Sequence, residues 1–84
     1  MEWNVRKIEG TVRVDVHSED DLTETDTEAM CTATEQFLGD EAINTVQVDG
    51  PALQGRAPKG MGNALRGLDR LTRRYGVRLL VGPI

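Results

Sequence analysis

The residues most able to bind a ligand lie in the stretch GRAPKGMGN, residues 55–63, where a glycine-rich loop runs into a predicted helix. Arg56 and Lys59 precede Gly60 at this junction. A helix start presents unpaired backbone N–H groups and about half a positive charge, so it attracts anions, and two cations add to this attraction. Three interpretations follow. The stretch binds a carboxylate of a partner protein, it binds a phosphate or nucleotide, or its glycines only allow a tight turn into the helix.

No sequence motif specific for phosphate binding supports the second interpretation. No Gly-Lys-Ser/Thr sequence closes the loop as in a P-loop, and the glycine spacing of a Rossmann dinucleotide site is absent. The glycines and Pro58 are explained most simply by close helix packing and an early helix start. A small phosphate- or nucleotide-binding module that uses residues 55–63 stays open as the alternative function.

Four arginines follow on the predicted helix: Arg66, Arg70, Arg73 and Arg74. Cationic side chains on one helix face can approach the phosphates of a nucleic acid. The net charge of the protein is nevertheless -4, and no aromatic side chains alternate with these arginines to stack on bases. We therefore expect a solvated helix face with weak inter-helix ion pairs, and no nucleic-acid partner.

Charge is divided unevenly along the chain. Residues 1–49 hold thirteen of the fourteen acidic residues with three bases, whereas residues 50–84 hold seven bases with Asp69 as their one acid. The two halves are expected to attract each other. The acidic, lysine-poor composition fits either a salt-rich cytoplasm, and thus a halophilic source, or a GC-rich genome.

The remaining reactive side chains form no recognisable site. Cys31 is the one cysteine and His17 the one histidine, so neither an internal disulfide nor a zinc ligand set is available. We expect no enzyme activity, no metal and no cofactor. No apolar run approaches the ~18 residues of a membrane span, so we expect a cytoplasmic protein without membrane contact.

The first half of the chain predicts a hairpin and a helix. Apolar and polar residues alternate over residues 12–16, and Gly10 before them is expected to supply the positive φ of a two-residue turn. A helix is expected to begin at a capping box formed by Thr25 and Glu28. Gly39 is expected to end this helix in the left-handed conformation.

The second half predicts a strand, a helix and a strand. A short strand is expected over residues 43–48, and the second helix is expected to begin between Pro58 and Gly62 and to end at Gly76. The final segment VRLLV is almost continuously apolar, which is typical of a strand that is covered on both faces or is central in a parallel sheet. The inward stripe of the second helix is expected to contain Met61, Ala64, Leu65, Leu68, Leu71 and Tyr75.

The element order ββαβαβ predicts a two-layer α/β domain over residues 1–84, with a four-stranded mixed sheet and the first strand antiparallel at one edge. Right-handed crossovers between parallel strands place both helices on one face. The other face stays uncovered. Two interpretations stay open: Trp3, alternate valines and the last strand leave an apolar patch there, available to a partner or to a second copy as a homodimer, or Trp3 is an edge aromatic folded over the hairpin.

Three segments follow one another in the order found in a known family: the glycine pair around Met61, the helix ALRGLDRLTRRYG and the strand VRLLVGP. In this order they resemble a STAS domain, the fold of bacterial anti-sigma-factor antagonists. The resemblance implies a STAS-like fold and a regulatory role through protein binding. The family's helix start carries a phosphorylatable serine after an aspartate, whereas this sequence has Ala57 and Pro58 at those places. The phosphorylation switch is therefore not expected.

The sequence thus predicts a non-enzymatic regulatory domain for protein–protein interaction. Its contact surface is expected where the basic loop meets the second helix, facing an acidic surface of a protein partner. The residues expected to form this surface are Arg56, Lys59, Gly60, Met61, Asn63 and Arg66.

Overall fold

The computed structural model describes residues 3–17, 21–49 and 59–82. The elements follow in the predicted order ββαβαβ, which confirms the α/β fold class. The elements are β1 (Trp3–Ile8), β2 (Thr11–Val16), α1 (Glu24–Leu38), β3 (Thr45–Asp49), α2 (Met61–Tyr75) and β4 (Arg78–Val81).

The four strands form one mixed sheet in the spatial order β1-β2-β3-β4. β1 pairs antiparallel with β2, whereas β2, β3 and β4 run parallel to one another. The two parallel connections contain α1 and α2, and their right-handedness places both helices on the same face. The predicted four-stranded sheet with an antiparallel first strand and two helices is confirmed.

The core lies between this sheet face and the helices. Alternation along β2 and β3 turns one row of valines toward the helices, where Val14 and Val48 are register partners and fully buried. Met30 of α1 and Leu68 of α2 are fully buried against this row. The predicted inward stripe of α2 is therefore confirmed at its centre, and Tyr75 at its end is exposed.

The turn between β1 and β2 differs from the prediction. Glu9 has the positive φ of 54°, and Gly10 does not, so the expectation for Gly10 was wrong. Gly10 instead allows a close approach, because a Cβ at this position would lie 3.1 Å from the carbonyl oxygen of Ala42. Its own carbonyl accepts a hydrogen bond from the Asn44 N–H at 3.0 Å.

The predicted start of α1 was wrong, whereas Gly39 follows the last residue of α1 as predicted but not in the predicted left-handed conformation. The capping box is formed by Thr23 and Asp26, two residues before the predicted one: the Thr23 hydroxyl accepts from the Asp26 N–H at 3.1 Å, and the Asp26 carboxylate accepts from the Thr23 N–H at 2.9 Å. The short Asp26 side chain thus performs the task expected of a glutamate. Gly39 adopts the right-handed conformation, with φ of −70°, and the N–H of the next residue, Asp40, donates to the carbonyl of Phe37 at 3.1 Å.

α2 begins within the predicted interval. Gly60, at φ 85°, precedes Met61, and Gly76, at φ 67°, follows Tyr75. Both glycines adopt the left-handed conformation, which costs other residues strain energy. Helix α2 is therefore bounded by backbone geometry at both ends.

The last strand lies at an edge of the sheet, not in its centre as its apolar sequence indicated. Connections between sequential parallel strands add each new strand beside the preceding one, so β4 is last in space as well as in sequence. Leu80 is 43% exposed and Val81 51%. The prediction of a strand covered on both faces was wrong. The strand before α2 also begins at Thr45, two residues later than predicted.

Candidate protein-binding surfaces

The starts of α1 and α2 lie close together. Both helices run antiparallel to the strands they connect, so they are parallel to each other and their first turns meet beyond the same end of the sheet. The backbone N–H of Leu22 donates to the carbonyl of Lys59 at 2.8 Å. A Cβ at Gly60 would overlap the carbonyl oxygen of Leu22. Glycine at this position therefore permits the tight turn into α2.

A cleft of about 480 Å³ separates the two helix starts. Glu24 and Glu28 of α1 border it, and they repel an anion that approaches between the helices. This acidic wall weakens the phosphate interpretation of the neighbouring loop. The lining residues are Leu22, Thr23, Glu24, Thr27, Glu28, Gly60 and Asn63.

The structure brings together three of the six residues expected to bind a partner. Lys59, Asn63 and Arg66 are exposed, and their spacings of four and three residues align them on the outer side of α2. Gly60 is half-buried, and Met61 is only 3% exposed because it packs in the core. Arg56 lies outside the described residues.

The same outer side of α2 continues as a row of cations. Arg70, Arg73 and Arg74 are exposed, as the sequence predicts. Arg73 pairs with Asp69 at 3.3 Å, and Arg74 pairs with Glu35 of α1 at 3.7 Å. Within the described ranges, neither Arg66 nor Arg70 has a carboxylate within ion-pair distance.

The neighbouring helix α1 has the opposite charge. It contains no basic residue and four acidic residues, namely Glu24, Asp26, Glu28 and Glu35. The helix layer therefore presents an acidic ridge beside a basic ridge. The pair Arg74–Glu35 connects the two and confirms the expected inter-helix contact, at a distance and exposure where such pairs stabilise little.

The two helices approach each other closely at Gly67. A Cβ there would lie 2.9 Å from the Cys31 sulfur, so glycine sets the helix spacing. The Cys31 thiol is half-buried, and burial followed by the nearby Glu35 carboxylate raises its pKa. Cys31 thus acts as a packing residue with little thiolate at neutral pH.

A charged network occupies the sheet face opposite the helices, and sequence analysis missed it. Arg13 donates from Nε to Asp15 at 2.9 Å and from Nη2 to Asp49 at 2.7 Å. The Asp15 carboxylate, which also contacts Arg6 at 3.3 Å, is almost fully buried. The hydrogen bond from Arg13 to Asp15 raises the pKa of the guanidinium. The alternation along β2 could have indicated this network, since Arg13 and Asp15 lie between valines that face the helices and must therefore face the other side of the sheet.

The expected apolar patch on this face is absent from the described strands. Trp3 and the valines point toward the helices, because Trp3 is the register partner of Val16 and shares its face. The Trp3 indole N–H donates to Asp26 of α1 at 3.4 Å. Trp3 thus links the hairpin edge to the helix layer. Among the described residues, the exposed large apolar side chains on the open face are Ile8 and Leu80.

The described residues contain no group of three or more side chains suited to hold a metal ion. No helix among residues 3–17, 21–49 and 59–82 is long and apolar enough to cross a membrane.

Comparison with known proteins shows a solved structure that is similar to this chain in fold. The chain is similar to the crystal structure of an enoyl-CoA hydratase from Mycobacterium avium subsp. paratuberculosis K-10, with a TM-score of 0.63 and 19% sequence identity. The alignment covers 96% of this chain and 35% of the hydratase chain. At this identity the likeness shows the fold alone, and this chain spans about a third of the hydratase. No protein-family model and no curated protein matches the sequence.

Proposed function

We propose that this chain is a non-enzymatic, regulatory protein-binding domain that binds an acidic segment of a partner along the outer side of α2. The observation that carries the proposal is the pair Arg66 and Arg70, which are exposed and have no carboxylate partner in the described part of the chain. With Lys59 they form a cationic row more than two helical turns long. Guanidinium groups bind carboxylates through two parallel hydrogen bonds, so each arginine can fix one acidic side chain.

The acidic ridge of α1 argues for a narrow partner. A nucleic acid carries phosphates across a broad surface, and it would bring some of them against Glu24, Glu28 and Glu35. A single extended or helical peptide segment can follow α2 while avoiding α1. Glu24 and Glu28 also discriminate against free phosphate in the cleft between the helix starts.

The regulatory part of the proposal rests on the resemblance to STAS domains. The resemblance implies a protein-binding role, and this chain has Ala57 and Pro58 where the family has its phosphorylation switch. Binding in this chain is therefore proposed to be independent of phosphorylation at that place, and to occur in the cytoplasm.

The proposal is tested by NMR titration of the ¹⁵N-labelled protein with a glutamate-rich peptide and, separately, with single-stranded RNA. We expect peptide-induced amide shifts along residues 59–74 that weaken as salt is added, because exposed charges are screened. Arg66→Ala should reduce the affinity for the peptide several-fold.

Lys7→Ala is the matched control, since it removes one positive charge from β1, away from α2. Equal losses for Arg66→Ala and Lys7→Ala would show that only net charge matters and would contradict the proposed surface. Stronger shifts with RNA than with the peptide would contradict the proposed class of partner.

A further inference from the structure

The two edges of the sheet are protected to different degrees. The β1 edge carries Arg6 and Lys7, charges of the kind that natural proteins place on edge strands to prevent pairing with another chain. The β4 edge carries one charge, Arg78, at its first residue, and then three apolar residues. β4 pairs with β3 on one side, and no described strand pairs with its other side. An apolar, unpaired edge is a template for a further strand.

The backbone of β4 shows which groups point outward. The N–H groups of Arg78 and Gly82 donate inward, to the carbonyls of Asn44 at 3.0 Å and of Val48 at 2.9 Å. Because alternate residues of a strand direct their N–H and C=O groups to opposite sides, those of Leu79 and Val81 point away from β3. Two residues therefore offer four hydrogen-bonding groups at this edge.

We infer that β4 binds β4 of a second copy of this chain in the antiparallel direction, which joins two four-stranded sheets into one of eight strands. A two-fold axis perpendicular to the sheet makes the contact self-complementary and keeps the helices of both copies on the same face. Leu79 of each copy then exchanges both hydrogen bonds with Val81 of the other. This pairing uses all four outward groups.

The register that satisfies these hydrogen bonds also pairs the side chains favourably. Leu80 lies opposite Leu80 of the second copy at the axis, as a non-hydrogen-bonded pair with close side chains. Arg78 lies opposite Gly82, so the only charged residue of the strand does not meet another cation. Apolar pairs of this kind stabilise an antiparallel contact, whereas like charges directly opposite destabilise it. The fit of β4 to itself favours a second copy over an unrelated strand.

The flank of α2 above this edge is compatible with the same partner. Gly67, Arg70 and Arg74 line the groove toward α1. Helical periodicity then places Leu65 and Asp69 on the opposite flank, toward the β4 edge. Leu65 is half-buried, and Asp69 is the one acid in residues 50–84. The carboxylate at this flank offsets repulsion between the arginines of two neighbouring α2 helices.

The test is sedimentation equilibrium of the full chain over a wide range of concentrations, with Leu80→Lys and its matched control Ile8→Lys. Both positions hold exposed apolar residues of edge strands on the open sheet face, at 43% and 46% exposure. We expect the wild-type mass to rise toward twice the 9.3 kDa of one chain. Leu80→Lys should raise the dissociation constant more than about tenfold, since it places two ammonium groups at the axis, and Ile8→Lys should leave it unchanged.

A second variant tests the hydrogen bonds themselves. Val81→Pro removes an outward N–H that β3 does not use, and proline is tolerated at the open side of an edge strand. It should also weaken the dimer, and the wild-type amides of Leu79 and Val81 should exchange with solvent more slowly as protein concentration rises. A wild-type chain that stays monomeric at millimolar concentration overturns the inference. So does equal weakening by Ile8→Lys and Leu80→Lys.

Discussion

Helices α1 and α2 lie side by side on one sheet face, yet the chain fixes them by different means. α1 begins with a reciprocal pair of side-chain hydrogen bonds between Thr23 and Asp26, and it buries Thr34 as well as Met30 and Leu38. α2 has no side-chain cap, lies between two left-handed glycines and buries a regular apolar stripe. Polar contacts at its start therefore contribute more to the position of α1, whereas packing and backbone geometry position α2.

The largest expected loss of stability comes from removing a core contact of α2. Leu68 is fully buried against the sheet, so Leu68→Ala leaves a cavity and should lower the free energy of unfolding by about 3 kcal/mol. Urea unfolding followed by circular dichroism measures this loss. Tyr75→Ala, an exposed position of the same helix, should cost less than about 1 kcal/mol. Similar losses at both positions would contradict the assignment of Leu68 to the core.

The next test concerns the backbone at the start of α2. Gly60→Ala places a methyl group against the carbonyl of Leu22 at a φ of 85°, and should lower the free energy of unfolding by about 2 kcal/mol. Gly62→Ala is the control, because a Cβ there meets nothing within 4 Å. It should stabilise the helix by about 0.5 kcal/mol. Thermal unfolding of the two variants should therefore shift in opposite directions.

The third test measures how much the hydrogen bond that caps the start of α1 stabilises the protein. Removing the Thr23 hydroxyl by Thr23→Ala takes away the bond to the Asp26 N–H and should cost about 1 kcal/mol. Urea titration at neutral pH measures the change. Thr25→Ala removes the hydroxyl that sequence analysis took for the cap, and it should have a smaller effect. A larger loss for Thr25→Ala would place the start of α1 two residues further along the chain.

Acid should weaken α1 more than α2. Hydrogen bonds from the Thr23 backbone and side chain lower the pKa of Asp26, with a further bond from Trp3. A carboxyl with a depressed folded pKa stabilises the fold above its unfolded pKa of about 3.9, and the stability is lost as pH falls through the folded pKa. Asp26→Asn should reduce the loss of stability on acidification, measured by unfolding at several pH values. Unchanged acid sensitivity would contradict this role of Asp26.

The smallest effect is expected where the two helices meet through charge. The Arg74–Glu35 pair joins them at 3.7 Å with both side chains well exposed, so its coupling free energy should be below about 0.5 kcal/mol. A double-mutant cycle of Arg74→Ala and Glu35→Ala measures it. A coupling several times larger would mean that charge, as well as packing, holds α2 beside α1.

Sequence patterns predicted the fold well where they report burial. The stripe around Leu68 and the alternation of the β2 valines each require one face to be covered, and this fixes the element order and the helix side of the sheet. The patterns failed where position depends on neighbours distant in sequence. The apolar residues of β4 gave no information on which strand lies beside it, and Trp3 could not be assigned to a face without its register partner Val16.

The candidate site was predictable to a similar extent. Helical spacing correctly indicated exposed positions at Asn63 and Arg66, since these lie opposite the apolar stripe. It could not show that Glu24 and Glu28 border the neighbouring cleft, because this depends on how two helices whose first residues are 37 positions apart come together. The capping box was misplaced because threonines recur every second residue around the start of α1, at positions 23, 25 and 27, and local spacing does not choose among them.

The order of strands has a consequence for how the chain acquires its structure. Each strand of the sheet lies beside the one that precedes it in sequence, so a ribosome releases every strand after the surface that receives it has been made. No early segment must wait, exposed, for a distant one to arrive. The sheet can therefore grow outward from the β1–β2 hairpin in step with synthesis, and β4 is the last of the four described strands to join it.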